Sequence, residues 1–308
     1  MELAYNVGVQ VIIIFILMTV GFALQKFDFF TPKGIKQMTN LLLNVVSPCV
    51  LIEAYQKEFQ TRLAYQLLWA VIFTIIILTI SVILGKIIFR KEPTNHYRID
   101  SFASTYSNCG FMAIPLLSAV LGSDGVFFGS GYLAMFTLFY WTIGVYVMTE
   151  NKKDLSIKKA LLTPGIIGAL VALLFFFTGI KLPEVLGQAV HHLANLNTPL
   201  SMVILGTYLV NIDFKKVFTS LSILKVCFVR LILIPIISIG VAVVIKLDPE
   251  VAKAVLISSA CPTAAVTTLF ATKFGLDADY SSQLVSITTL LSIVTIPAVV
   301  LLCSLVIQ

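Results

Sequence analysis

Ten stretches of the chain are apolar over a length that crosses about 30 Å of hydrocarbon at 1.5 Å per residue. They lie near 5–25, 35–55, 64–89, 99–121, 125–149, 158–180, 184–210, 217–245, 250–273 and 280–307. Short polar connections separate them and leave no room for a separate soluble domain. The pattern predicts ten membrane-spanning helices, α1 to α10 in that order. The first reads as a span rather than a cleaved signal peptide. Glu2 stands where a basic region would be expected, and residues 7–24 run apolar for 18 positions.

The polar connections differ in charge. Those joining odd-numbered helices to the next even-numbered one carry 15 Lys and Arg; the alternate connections carry 5. Basic loops stay in the cytoplasm, so this bias predicts both termini outside and a multi-pass protein of the plasma membrane. Across all 308 residues, 58% are apolar, 12% are charged and the mean hydropathy is +1.00. A soluble chain carries about 25% charged residues. The composition therefore excludes a disordered chain, a nucleic-acid binder and an ordinary cytosolic enzyme. The net charge of +6 is a topology signal, not a nucleic-acid footprint. Five cysteines lie inside apolar runs without C-x-x-C spacing, which signals neither a disulfide framework nor a zinc site. No metal or cofactor is expected.

Internal similarity supplies the architecture. α2 contains Pro32, then Asn44-x-x-Ser47-Pro48; α7 contains Pro183, then Asn195-x-x-Thr198-Pro199. The prolines are 16 residues apart in both, and the Asn-x-x-[Ser/Thr]-Pro pattern recurs at an offset of 151. Gly122-x-Asp124 and Gly275-x-Asp277 repeat at an offset of 153. These echoes predict two five-helix repeats, residues 1–149 and 158–308, joined by a cytoplasmic link at 150–157. An odd number of helices per repeat inserts the second copy upside down, an architecture of secondary transporters.

Such transporters interrupt corresponding helices at the substrate site. α4 contains Asn108-Cys109-Gly110 and, one turn on, Pro115; α9 contains Ser258-Ser259-Ala260-Cys261-Pro262-Thr263. Gly relaxes the backbone and Pro removes a donor, so both places predict broken, crossing helices. Each break creates a half-helix N-terminus that attracts an anion.

At these residues the chain resembles the auxin efflux carrier family, which includes plant auxin carriers and prokaryotic organic-acid permeases. Asn108-Cys-Gly-Phe-Met-Ala-Ile-Pro115-Leu-Leu is similar to the plant pattern N-T-L-V-M-G-I-P-L-L. Ser47-Pro48-Cys-Val-Leu-Ile resembles the family's α2 segment, and Arg230-x-x-x-x-Pro235 its R-F-L-x-G-P in α8. The resemblance implies an all-α fold like that of bile-acid symporters and sodium/proton antiporters. It further implies a scaffold of α1, α2, α6 and α7, a moving bundle of α3–α5 and α8–α10, an elevator mechanism and a homodimer. The candidate substrate-binding set is Asn108, Cys109, Gly110, Pro115, Ser47, Pro48, Cys261, Pro262, Thr263 and Phe136. The short link after α5 indicates a compact prokaryotic member. Tyr65 and Gln66 stand where plant members carry an Asp and a Lys, and Phe136 where they carry a Gln. These departures favour a small carboxylate over auxin.

Other polar residues carry two readings each. Arg230 inside α8 is functional, or a structural group that snorkels or binds a broken helix's carbonyls. Glu53 is an interfacial carboxylate or a proton-coupling group, and His191-His192 a solvated face or a pH sensor. Asp100 complements the dipole of α4. The rival function is a sodium-coupled organic-anion symporter of the same fold, with Ser258, Ser259, Thr263, Thr267 and Thr268 as oxygen ligands. A thiolate metal carrier using Cys49, Cys109 and Cys261, and an intramembrane protease, fit less well.

Overall fold

A computed structural model describes residues 2–90, 96–213, 217 and 219–307, without the side chains of 2–7 and 211. Among the described residues, secondary structure is helical except for one isolated backbone bridge. Among the described residues, each apolar run is mainly helical. α1 is Glu2–Lys26, α2 is Pro32–Ala54, α3 is Thr61–Phe89, α8 is Leu221–Val244 and α10 is Ala278–Val306. α6 comprises Ile157–Leu161 and Pro164–Thr178, with the stretch Lys152–Leu161 bent 41° from the second piece. α7 comprises Glu184–Asn195 and Asn197–Tyr208.

α4 and α9 are the interrupted helices. α4a is Tyr97–Thr105, and helix resumes at Cys109 to run through to Thr149. A kink at Gly122 (φ 64°, ψ −151°) divides that long helix into α4b before it and α5 after it. α9a is Pro249–Ala260 and α9b is Val266–Lys273. By length and hydropathy, six of the described helices cross a membrane alone, or seven if bent α6 counts as one. Ten complete spans do not follow from helix length, for two reasons. α4b and α5 run together across Gly122, and α7 and α9 are each assembled from shorter pieces.

Prolines explain much of the local irregularity. π-helical turns at Leu42–Val46, Cys109–Ala113 and Val229–Leu233 each end two residues before a proline: Pro48, Pro115 and Pro235. A proline has no N–H for the preceding turn and its ring crowds that turn's carbonyl. Widening by one residue accommodates both effects, and such bulges often mark functional sites.

Packing follows membrane rules. Ile12 and Ile16 on α1, Ile83 and Ile87 on α3, and Leu170 and Leu174 on α6 point outward, where lipid rather than water suits them. Ser and Thr are buried, and many return their hydroxyls to their own helix, as Thr74 does to Ala70 and Ser258 to Ala254. Small residues bring helices close. A Cβ on Gly21 would lie 2.0 Å from the Val203 carbonyl oxygen, and one on Gly206 would lie 2.0 Å from that of Met18. α1 and α7 therefore touch backbone to backbone.

Candidate functional site

The two interruptions meet. Beyond α4a the chain is extended at Tyr106, and beyond α9a it is extended at Cys261. The two extended pieces lie antiparallel, with Ser107 opposite Thr263. Asn108 N–H donates to the Pro262 carbonyl at 2.7 Å, and Ala264 N–H donates to the Tyr106 carbonyl at 2.9 Å. Backbone groups released by one break are satisfied by the other, which is what unwound backbone at membrane depth requires. Side chains add to the clasp. Thr288 Oγ1 accepts from Thr263 N–H at 3.1 Å, and Thr263 Oγ1 donates to the Ala103 carbonyl at 3.0 Å. Ser107 Oγ donates to Tyr132 OH at 3.0 Å.

Arg230 holds the C-terminal ends of both first half-helices. Its guanidinium is fully buried. It donates to the carbonyls of Thr105 at 2.8 Å and Ser104 at 3.3 Å on α4a, and to the Ser259 carbonyl on α9a. The last carbonyls of a helix lack intrahelical partners and carry the negative end of its dipole. One cation between two such ends satisfies three carbonyls and offsets two dipoles. Of the readings open for Arg230, binding the broken helices' carbonyls is the one the geometry supports; burial rules out snorkelling. Its place in the π turn of α8 ties that helix to the crossing.

The opposite, N-terminal ends are less completely satisfied. Asn108 precedes the α4b segment, and its carbonyl accepts from Met112 N–H at 3.0 Å. Its side chain is only 3% exposed, yet Nδ2 has no partner among the described residues. On α9b the buried Thr267 Oγ1 likewise has none. Gly110, Phe111, Ala265 and Val266 beside these ends are partly exposed. No acidic residue occurs from 101 to 123 or from 251 to 276. Two half-helix N-termini, an unused amide donor beside one of them and no acidic residue in either segment make a setting for an anion.

The remaining expected residues fall in two places. Cys109, Cys261, Pro262 and Thr263 are buried in the crossing, with Cys261 Sγ 3.4 Å from the Ile257 carbonyl. Pro115 is buried one turn into α4b, and Phe136 lies edge-on to Tyr106 at 5.9 Å between ring centroids. Ser47 and Pro48 lie on α2. A Cβ on Gly168 of α6 would lie 3.0 Å from Pro48, so this proline packs α2 on α6, while Ser47 Oγ has no partner among the described residues. α2 reaches the site through Leu42 and Val46, against which Phe111 packs. Sequence reasoning missed Tyr132 and Thr288 because they sit at ordinary positions of α5 and α10. A cavity of about 210 Å³ opens beside α9b, lined by Tyr208 of α7, Thr268, Thr272 and Ser282 among others.

Three other residues are now placed. Asp100 does more than complement a helix dipole: it is fully buried and accepts from Ser222 Oγ at 2.5 Å and Tyr280 OH at 2.7 Å, tying α4a to α8 and α10. Glu53 and His191 form one pair at 2.6 Å, joining the end of α2 to α7.

The family model described as membrane transport protein matches residues 7–159 and again 153–300. An uncharacterized transporter of Methanothermobacter thermautotrophicus is 21% identical, over 93% of this chain and 95% of that protein. Another, from Methanocaldococcus jannaschii, is 24% identical over the same shares. With nearly the whole length matched, this multi-pass chain belongs to the membrane transport protein family, the auxin efflux carrier family that its α4 motif resembles.

Proposed function

We propose that the protein is a secondary transporter of a small organic anion, a carboxylate, with the substrate bound at the crossing of α4 and α9. One observation carries this reading. The C-terminal half-helix ends are committed to Arg230, whereas the N-terminal ends keep the unpartnered Asn108 amide. The charge left for a ligand is positive.

The reading includes ten spans arranged as two inverted repeats, with α3–α5 and α8–α10 moving as a body against α1, α2, α6 and α7. Equivalent geometry supports it: Gly122 and Gly275, matched at the repeat offset, have φ of 64° and 68°. Two contacts between connections support the sorting that the basic bias expects. Lys57 pairs with Asp124 at one end, joining the α2–α3 and α4–α5 connections. His96 lies 3.2 Å from Asp277 at the other, joining α3–α4 and α9–α10. A homodimer in the cell membrane, with termini outside, completes the proposal.

A thermal-shift screen of purified protein against mono- and dicarboxylates and indole-3-acetate, with and without sodium, tests it. Stabilisation by a carboxylate is expected. Stabilisation by cations or neutral solutes alone would sink the anion assignment. Stabilisation that requires sodium would favour the sodium-coupled reading, which has less structural support because Ser258 and Ser259 return their hydroxyls to their own helix.

A further inference from the structure

The basic end of the bundle holds a second cavity, of about 340 Å³, between the end of α3, the start of α4a and the end of α5. Lys86, Arg90, Tyr97, Arg98, Tyr146 and Glu150 line it. Gly85 makes it a shared space: a Cβ there would lie 3.0 Å from the Ser101 carbonyl oxygen, so its absence lets α3 and α4a close up. The charges do not cancel. Glu150 accepts from Arg98 Nη2 at 2.6 Å and from Tyr97 OH at 2.6 Å, which occupies both oxygens and neutralises Arg98. Lys86 and Arg90 remain without an ion pair among the described residues. Lys86 lies 5.6 Å from the Tyr146 ring centroid, which holds it at the cavity mouth.

This cavity continues into an apolar one. A groove of about 290 Å³ shares Lys86 and Tyr146 and is otherwise lined by Val82, Thr142, Ile143, Leu155 and a further cation, Lys152. Val82 is one helical turn deeper than Lys86 on α3. Ile83 and Ile87 on the outer face of α3 are 51% and 68% exposed, so lipid covers α3 beside the groove. A surplus of cations at the basic end of the bundle, continuous with a largely apolar groove that reaches one turn deeper along α3, matches an amphiphile with an anionic head. It matches a soluble anion poorly, since such a ligand leaves the groove unfilled.

We infer that an anionic phospholipid occupies this site, its phosphate between Lys86 and Arg90 and one acyl chain along Val82 and Ile143. The bound lipid bridges α3 and α5 at the basic end, away from the crossing and its substrate.

Native mass spectrometry of the detergent-purified chain, titrated with dioleoylphosphatidylglycerol or dioleoylphosphatidylcholine, tests this independently of membrane orientation and of the transported substrate. The phosphatidylglycerol adduct should form preferentially. Each basic residue near a headgroup contributes enough that Lys86→Gln with Arg90→Gln should weaken that adduct about 30-fold and leave the phosphatidylcholine adduct unchanged. Lys86→Gln alone, on an exposed side chain, serves if the double variant does not fold. Ile143→Trp, which fills the groove, should weaken the adduct without any change of charge. Equal binding of the two lipids, or an unaltered adduct in the charge variants, would overturn the inference. So would displacement of phosphatidylglycerol by millimolar glycerol 3-phosphate or inorganic phosphate, which would identify a soluble-anion site. An Ile143→Trp variant that binds phosphatidylglycerol as the parent does would overturn the chain placement and the lipid assignment with it.

Discussion

The backbone N–H of Asn108 donates to the carbonyl of Pro262 at 2.7 Å, so the interruption in α4 is capped by the interruption in α9. Neither break is satisfied without the other. The pairing leaves the Asn108 side chain free while fixing its backbone, and a fixed donor in a water-poor site binds an anion without first being ordered.

Arg230→Ala removes the charged donor to three buried carbonyls, those of Ser104, Thr105 and Ser259. Each buried acceptor left unsatisfied costs roughly 1–3 kcal/mol. A lowered melting temperature is expected in detergent, larger than that of Ser292→Ala, whose hydroxyl returns to its own helix at Thr289. Arg230→Lys should recover only part of the loss, because an ammonium lacks the planar fork that reaches both half-helices. Parental stability in Arg230→Ala would show that the crossing holds without its cation.

Asn108→Ala removes the unpartnered Nδ2 and keeps the backbone bonds to Pro262 and Met112. Folding should be retained. Carboxylate affinity, measured by titration of the ligand found in the thermal screen, should fall about 10- to 150-fold, the value of one hydrogen bond to a charged group. An unchanged affinity would make Asn108 a purely structural residue.

Gly122 and Gly275 have φ of 64° and 68°, with no atom near enough to obstruct a Cβ at either. Substitution by Ala therefore meets backbone strain and no clash, at a cost of about 1–2 kcal/mol each. Gly122→Ala and Gly275→Ala should lower the melting temperature by similar amounts. A loss at one position only would count against equivalent roles in two repeats.

Topology is open to direct labelling in a cysteine-free background. Leu3→Cys should react with an impermeant maleimide in intact cells, and Leu155→Cys only after the membrane is opened. The opposite pattern would invert the assignment.

Local sequence rules account for much of the architecture. The apolar runs place the helices because hydropathy over about 20 residues is a property of composition alone. Pro48, Pro115 and Pro235 mark three of the four π turns among the described residues, since the loss of an N–H acts on the immediately preceding turn. Gly110 and Pro262 identify the breaks for the same local reason. Even the positive φ at Gly122 and Gly275 is legible as a glycine followed two residues later by an aspartate, and Asp277 does accept from Tyr280 N–H at 2.8 Å.

What the tertiary structure alone decided is which distant groups share a partner. Arg230 reads as a charge in an apolar helix, and only packing shows that its three acceptors come from α4a and α9a. Asp100 reads as a helix-start carboxylate, and only packing buries it against Ser222 and Tyr280. Pro48 reads as the α2 counterpart of a site proline, and only packing shows its contact with Gly168 of α6. Local rules end where a hydrogen bond or a close contact joins residues far apart in the chain, because no periodicity records which helices become neighbours. The crossing, its cation and its unpartnered amide are set by that choice of neighbours.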